Sequence, residues 1–296
     1  MKLLKSVLLA IIGLFLSVLP AHSQGNTTNF GTEFWTAYMD HIAGTASGTS
    51  NIGSQMGLYI TSNVSTTGNV TIADGSFSQA FSVAANQVSV VTIPASAFLG
   101  DNMGTFLKGI HITAAKPVAI YAHIFASSVS GATLLLPVNA MGKDYYSINY
   151  TQLSNSLRPG GENKPSYSTF MVVATEDNST VEITPAVGLL DGKKGGATFT
   201  VTLKKGEVYQ GLANDDLSGT RIRSVSSTTG GCTKIAVFSG SSKISIGCSA
   251  AQFTADNLFQ QVYPTASWGK NYITVPLKDR PFDIYRIILS TPNTNV

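Results

Sequence analysis

The sequence is poor in charged residues and has only two cysteines, and its pattern shows no helical periodicity beyond the first residues. Lys, Arg, Asp and Glu make up 12% of its 296 residues, about half the usual share. The net charge is +3 and no basic stripe is present, which argues against nucleic acid as a partner. A parallel α/β sheet needs helices between its strands, so that class is excluded as well.

The only long apolar run lies at the N terminus, where it predicts a secretory signal peptide at residues 1–23. Lys2 and Lys5 supply positive charge, and small residues precede the expected cleavage between Ser23 and Gln24. The run is shorter than the roughly 20 residues of a membrane-spanning helix, and no second run follows. We therefore expect a secreted or cell-surface protein with no transmembrane span in the mature chain.

The two cysteines, Cys232 and Cys248, predict one disulfide. An even cysteine count in an exported chain indicates pairing, because the compartment is oxidising. The cysteines flank residues 234–246, whose pattern indicates a strand, a Ser/Gly turn and a second strand. A bridge across such a hairpin would stabilise the fold by about 3 kcal/mol in the chain-entropy model. Two separate buried thiols are the alternative.

Motifs of known catalytic chemistry are missing. The chain contains no His-Glu-x-x-His, no Gly-x-Ser-x-Gly and no phosphate-binding glycine-rich loop. The mature histidines, His41, His111 and His123, lack the spacing of metal ligands. The acidic pairs at 176–177 and 215–216 lack the spacing of a calcium loop. We therefore predict no catalytic residues, no metal and no cofactor.

A short phrase occurs three times in the chain, at residues 30–35, 141–146 and 268–273. Each copy reads hydrophobic-Gly-polar-polar-aromatic-hydrophobic, and the three glycines are 111 and then 127 residues apart. Repeats at this spacing indicate duplicated domains. We predict a first domain at 24–140, a second at 141–267, and the truncated start of a third at 268–296.

Between these phrases, β-branched and aromatic runs alternate with polar turns, as at residues 88–93 and 118–124. Each complete copy holds about seven such runs, the number in an immunoglobulin-like sandwich. We predict an all-β fold of tandem β-sandwich-like repeats, with a β-propeller of four-stranded blades as the alternative. The polar turns after 58–61 and 170–175 predict hairpins. Polar loops at 42–54 and 153–164 are candidate binding loops.

Five stretches carry a resemblance to a known family, beginning with Gly31-Thr32-Glu33-Phe34-Trp35 and continuing at 171–185, 216–220, 234–240 and 263–270. In these stretches the chain resembles the IgGFc-binding protein N-terminal domain family, in its bacterial surface or secreted type. The resemblance covers nearly all of the mature chain. It implies an extracellular binding or adhesion module with a protein or glycan ligand, and not an enzyme. No short motif in it marks an Fc contact.

A carbohydrate-binding accessory, or a secreted polysaccharide-active enzyme, is the alternative function. Six aromatic side chains are candidates for stacking on sugars: Trp35, Tyr38, Tyr59, Tyr145, Tyr146 and Trp268. Core packing is the competing role for all six. Exposure decides between the two roles, because a ring buried in the core cannot stack on a sugar.

Overall fold

In the residues that the structure describes, the secondary structure consists of β-strands and three single-turn 3-10 helices. A computed structural model describes residues 28–41, 55–126, 129–150, 166–226, 231–244, 246, 255–279, 282–291 and 293–294. The all-β prediction is confirmed, since no α-helix occurs in these ranges. The 3-10 helices are Ala95–Ala97, Val138–Ala140 and Thr265–Ser267. The strands are β1 (Gly31–Thr36), β2 (Gln55–Thr61), β3 (Thr66–Ile72), β4 (Ser78–Val83), β5 (Val88–Ile93), β6 (Gly104–Phe106), β7 (Ile110–Ala126), β8 (Val129–Leu134), β9 (Asp144–Tyr146), β10 (Ser168–Ala174), β11 (Ser179–Thr184), β12 (Phe199–Leu203), β13 (Val208–Ala213), β14 (Arg221–Val225), β15 (Ile235–Ile244) and β16 (Asp256–Gln261).

Strand β7 is the hub of a seven-stranded antiparallel sheet in the first half of the chain. Its first residues pair with β1 and β3, and its later residues pair with β2 and β8. β4 and β5 extend the sheet by pairing with β3 and β2. The run at 118–124 in the sequence pattern is part of this strand, which begins at Ile110 and has 17 residues.

The second half of the chain forms two further sheets. One is five-stranded in the order β16-β15-β10-β13-β6, and the other is four-stranded in the order β12-β11-β14-β9. Every residue of β10 and β13 is buried. A strand covered on both faces needs apolar side chains on both, which explains the unbroken apolar run at residues 170–174.

Two apolar cores hold the sheets together in layers. The first core joins Leu58 and Ile112 of the seven-stranded sheet to Met171 and Phe238, which lie on one face of the five-stranded sheet. The second core joins the other face of that sheet, where Phe170 lies, to the four-stranded sheet. Layers that share cores support the sandwich-like form of the predicted fold class over the propeller.

The strand pairings of the first half have counterparts in the second half. β3 pairs with β4 and β7 as β11 pairs with β12 and β14. β2 pairs with β5 and β7 as β10 pairs with β13 and β15. β1 and β8 correspond in the same way to β9 and β16. The single strand β7 therefore corresponds to two strands, β14 and β15.

The hairpins predicted after residues 58–61 and 170–175 are wrong. β2 and β3 both pair with β7 and not with each other, and β10 and β11 lie in different sheets. Burial gives the physical reason, because β10 is covered on both faces whereas β11 alternates between buried and half-buried residues. The turn before β11, with Asn178 at a φ of 57°, therefore crosses between layers.

The ranges 24–140 and 141–267 share a sheet and a core. β6 of the first range pairs with β13 of the second. The buried amide of Gln210 donates to the carbonyl oxygens of Gly100 and Asn102, and its carbonyl oxygen accepts from the backbone N–H of Asp40. These bonds satisfy a polar group that would be costly to bury alone. The two ranges consequently pack as one body.

Candidate binding surfaces

The outward face of β5-β2-β7-β8 is rich in aromatic and apolar side chains. We call it the aromatic face and define it by Tyr59, Val88, Val90, Tyr121, His123 and Phe125. Tyr59 pairs with Val90 on one side and with Tyr121 on the other, so the three form a row across the sheet. Val88, Val90 and Tyr121 are 61%, 51% and 48% exposed. Strand alternation explains this, because the inward-facing residues of the same strands fill the first core.

The rings on the aromatic face contact one another. His123 lies 5.9 Å from Tyr59 and stacks on Phe125 at 4.8 Å, between ring centroids. Its Nε2 atom is 2.8 Å from the hydroxyl oxygen of Ser130. Burial lowers the pKa of His123 below its ordinary value, which favours the neutral imidazole on this face.

The corresponding face of the five-stranded sheet is covered by the first half of the chain. Met171 pairs with Phe238 as Tyr59 pairs with Tyr121, so Phe238 has the position of Tyr121. Phe238 is fully buried and stacks on Phe259, which also contacts Tyr38. The same face of the sheet is thus interior in the second half and open in the first.

A second surface lies at the edge of the four-stranded sheet. We call it the Tyr146–Trp268 cluster and define it by Asp144, Tyr146, Arg221 and Trp268. Arg221 donates from Nε and Nη2 to the two carboxylate oxygens of Asp144, at 3.0 and 2.7 Å. The ring of Tyr146 is 5.8 Å from the Arg221 guanidinium carbon and 6.0 Å from the ring of Trp268. Both rings are half-buried.

The first half has a closed counterpart of this cluster. The imidazole of His111 stacks on Trp35 at 4.2 Å, and its Nε2 is 2.9 Å from a carboxylate oxygen of Glu33. Lys205 and Gly206, in the turn before β13, cover Trp35, which is only 3% exposed. Burial lowers the pKa of His111, while the hydrogen bond and charge of Glu33 oppose the shift.

The six aromatic side chains proposed for sugar stacking divide into two groups. Trp35, Tyr38 and Tyr145 are buried in the cores, so sugar stacking by these three is wrong. Tyr59, Tyr146 and Trp268 are half-buried and keep part of their rings at the surface. Sequence analysis missed Tyr121, Val88 and Val90. The available signal was that residues 88–93 place valine on both faces of one strand, which a half-exposed strand does not need.

The remaining titratable candidates are dispersed. His41 is buried, with Nε2 at 3.3 Å from the carbonyl oxygen of Val129. Asp177 accepts from the backbone N–H of Lys205. In the described ranges, no three His, Cys, Asp or Glu side chains are grouped closely enough to hold a metal ion.

The hairpin premise of the predicted disulfide is wrong. The residues expected to form its turn, Ser239, Gly240 and Ser241, lie inside the continuous strand β15. Cys232 precedes this strand, with Sγ 3.3 Å from the hydroxyl oxygen of Ser226. Cys248 lies outside the described residues, so its pairing with Cys232 stays a prediction. The signal peptide, the Ser23–Gln24 cleavage site and the polar loops at 42–54 and 153–164 also lie outside them.

Comparison with known proteins gives the family. A family model described as IgGFc binding protein matches residues 131–296. The chain belongs to this family. A human protein named IgGFc-binding protein is 28% identical over 162 residues, which cover 53% of this chain and 3% of the human protein. The bacterial type named in the sequence analysis gains no support from a human relative. No solved structure matches the chain.

Among the residues of this IgGFc-binding family chain that the structure describes, no helix has the length and apolar character needed to cross a bilayer.

Proposed function

We propose that the chain is an extracellular, non-catalytic binding module that docks a protein partner on its aromatic face. The observation that carries the proposal is the exposure of three neighbouring side chains on the sheet. Val90 and Tyr121 lie on either side of Tyr59, and Val88 is next to Val90 on the same face of β5. Contiguous apolar patches on a soluble surface mark interaction sites more often than isolated exposed residues do.

A protein partner fits this surface better than a small molecule does. The aromatic face is an open sheet surface, whereas small-molecule sites are concave and enclose most of their ligand. Its counterpart on the five-stranded sheet is covered by polypeptide, where Tyr38 packs on Phe259. Tyrosine is also enriched where protein interfaces are well packed, because its ring is apolar and its hydroxyl is polar.

The immunoglobulin G Fc fragment is the partner to test first. The human relative carries Fc binding in its name, and this chain matches 3% of that protein. We therefore expect purified chain, immobilised on a sensor surface, to bind Fc in a concentration-dependent manner. Absence of binding would overturn Fc as the partner.

Substitutions inside and outside the aromatic face test whether this face contacts Fc. Val90→Thr with Tyr121→Ser should weaken Fc binding at least tenfold, about 1.4 kcal/mol. Val64→Thr is the control, because Val64 is 45% exposed and lies outside the aromatic face. Equal binding by the double variant and the control would overturn the aromatic face as the docking surface.

Secretion and disulfide formation belong to the same proposal. N-terminal sequencing of the exported protein should begin at Gln24, after removal of residues 1–23. Mass spectrometry should find Cys232 and Cys248 alkylated only after reduction, and alkylation without reduction would contradict the disulfide. We also propose that 24–140 and 141–267 are duplicated units, which the corresponding strand pairings support. We propose in addition that 268–296 begins a third unit.

A further inference from the structure

We propose that the Tyr146–Trp268 cluster is a binding site for an uncharged glycan, separate from the aromatic face. The cluster combines two partly open aromatic rings with a carboxylate and a guanidinium. Sugar rings offer C–H surfaces that stack on aromatic rings, and hydroxyls that both donate and accept hydrogen bonds. The combination of aromatic rings with hydrogen-bonding groups therefore points to a glycan.

The backbone fixes the two rings in place. Tyr146 ends β9 and lies opposite Arg221 of β14. Trp268 follows the 3-10 helix Thr265–Ser267, and its indole Nε1 donates to the carbonyl oxygen of Tyr263 at 3.1 Å. Because the indole N–H is already held, the ring is oriented before any ligand arrives. The planes of the two rings are inclined at 46°, with their centroids 6.0 Å apart.

The polar groups beside the rings are balanced in charge. Arg221 is paired with Asp144, and the neighbouring Arg223 is paired with Glu182. The side chains of Arg221 and Asp144 remain 42% and 30% exposed. Each ion pair is neutral as a whole, so neither guanidinium acts as an isolated cation that would attract a sialylated or sulfated ligand. They still offer directional donors and acceptors to sugar hydroxyls.

The first half of the chain contains a corresponding cluster that is closed to solvent. In that counterpart, Glu33 is the acid, His111 the base and Trp35 the aromatic ring. They correspond to Asp144, Arg221 and Tyr146 of the Tyr146–Trp268 cluster. The turn with Lys205 and Gly206 seals that cluster, because Gly206 lies against the Trp35 ring. Among the described residues, nothing comparable buries Tyr146 and Trp268, so the second cluster is the one that a ligand can reach.

Tryptophan fluorescence provides a direct test, because the chain has only two tryptophans. Trp35 is buried, so quenching by acrylamide reports mainly on Trp268. The probes are neutral oligosaccharides of galactose, glucose and N-acetylhexosamines, together with sialylated and sulfated forms. We expect a neutral oligosaccharide to protect Trp268 from quenching in a saturable manner. Protection by no probe, or by charged probes only, would overturn the proposal.

Variants separate this site from the aromatic face. Trp268→Ala should weaken binding of the protecting oligosaccharide at least tenfold in isothermal titration calorimetry, and Arg221→Lys should weaken it by losing the two-point contact with Asp144. Tyr121→Ser should leave glycan binding unchanged while it reduces Fc binding. Loss of glycan binding in Tyr121→Ser, or its retention in Trp268→Ala, would overturn the assignment. Trp268 is only half-buried, so we expect Trp268→Ala to fold. This variant tests the site even if Arg221→Lys does not fold.

Discussion

Gly142 lies so close to Pro264 that a Cβ atom on the glycine would be 2.4 Å from the Cβ of the proline. Gly31 and Pro137 have the same relation, at 2.2 Å. Each proline is followed at once by a single-turn 3-10 helix. In the first two copies of the recurring sequence phrase, the glycine is therefore required by close approach of another segment, and not by an unusual backbone angle. The third copy differs, because a Cβ atom on Gly269 would meet nothing closer than 3.7 Å.

Substitution of Gly142 by alanine should destabilise the protein by about 1–3 kcal/mol, because the added methyl group overpacks this contact. Gly188→Ala is the matched control, since its Cβ would have an ordinary contact of 3.8 Å with the carbonyl oxygen of Lys193. Chemical denaturation of both variants measures the difference. Equal free energies of unfolding would show that the Pro264 segment moves away freely.

Replacement of Tyr145 by phenylalanine should cost about 1–3 kcal/mol, since it leaves buried polar groups without a partner. The Tyr145 hydroxyl accepts from the backbone N–H of Gly142 at 2.6 Å and donates to the carbonyl oxygen of Ile235 at 2.8 Å. Denaturant unfolding of the variant at neutral pH is the measurement. Tyr121→Phe is the control, because the Tyr121 side chain is 48% exposed, and this variant should lose less stability. A smaller loss for Tyr145→Phe than for Tyr121→Phe would contradict this account.

Sequence patterns located the strands well because alternation and β-branching are local properties. Residues 88–93, for example, coincide with β5. Strand partners were harder to predict, because pairing depends on which layer a strand joins. The apolar run at 170–174 did carry that information, since a strand buried on both faces cannot lie in an outer sheet.

The candidate sites were only partly visible in the sequence for a similar reason. Tyr146 and Trp268 were identified as aromatic candidates, but their approach to each other depends on contacts between segments over 100 residues apart. Trp35 occupies the position of Tyr146 in the recurring phrase, yet it is buried. Its burial comes from the Lys205–Gly206 turn, which no local pattern near Trp35 could predict.

Acidification should weaken the fold partly through His111. Burial lowers the pKa of His111 in the folded protein, so its contribution to stability is present above the unfolded value of about 6.5 and is lost as pH falls below it. The melting temperature of His111→Gln should therefore fall less between pH 7.5 and pH 5 than that of the wild type. The melting temperature of Glu33→Gln should fall more than that of the wild type, because Glu33 opposes the lowering of the His111 pKa. The reverse order would refute this assignment.

Arg286 should anchor residues 282–291 to the loop before β14 and to the segment after β9. Its Nη1 donates to a carboxylate oxygen of Asp216 at 2.5 Å and to the hydroxyl of Ser218 at 3.0 Å, and its guanidinium lies 4.1 Å from the ring centre of Tyr150. Arg286→Ala should raise hydrogen–deuterium exchange in 282–291. Lys278→Ala is the control, because its pair with Asp279 is long and exposed. Equal exchange in both variants would argue against the anchor.

The same anchor should be sensitive to strong acid. Burial alone would raise the pKa of Asp216, but hydrogen bonds from Ser218 and Arg286 outweigh it and lower the pKa below its usual value. A lowered carboxyl pKa contributes stability above the unfolded value of about 3.9, and that contribution is lost as pH falls below it. Exchange in 282–291 should thus rise below pH 4 in the wild type and change less in Arg286→Ala.

Aggregation should depend on the exposed apolar residues between 272 and 289. Ile273 is 93% exposed, Val275 74% and Ile287 66%, and the backbone around them belongs to no strand in the described ranges. Apolar extended chain with free N–H and C=O groups pairs readily with another copy. Ile273→Lys with Ile287→Lys should lower light scattering on concentration without lowering the melting temperature, whereas Val64→Lys should change scattering little. A lower melting temperature in the double variant would show instead that these side chains pack within the fold, and unchanged scattering would place the aggregating surface elsewhere.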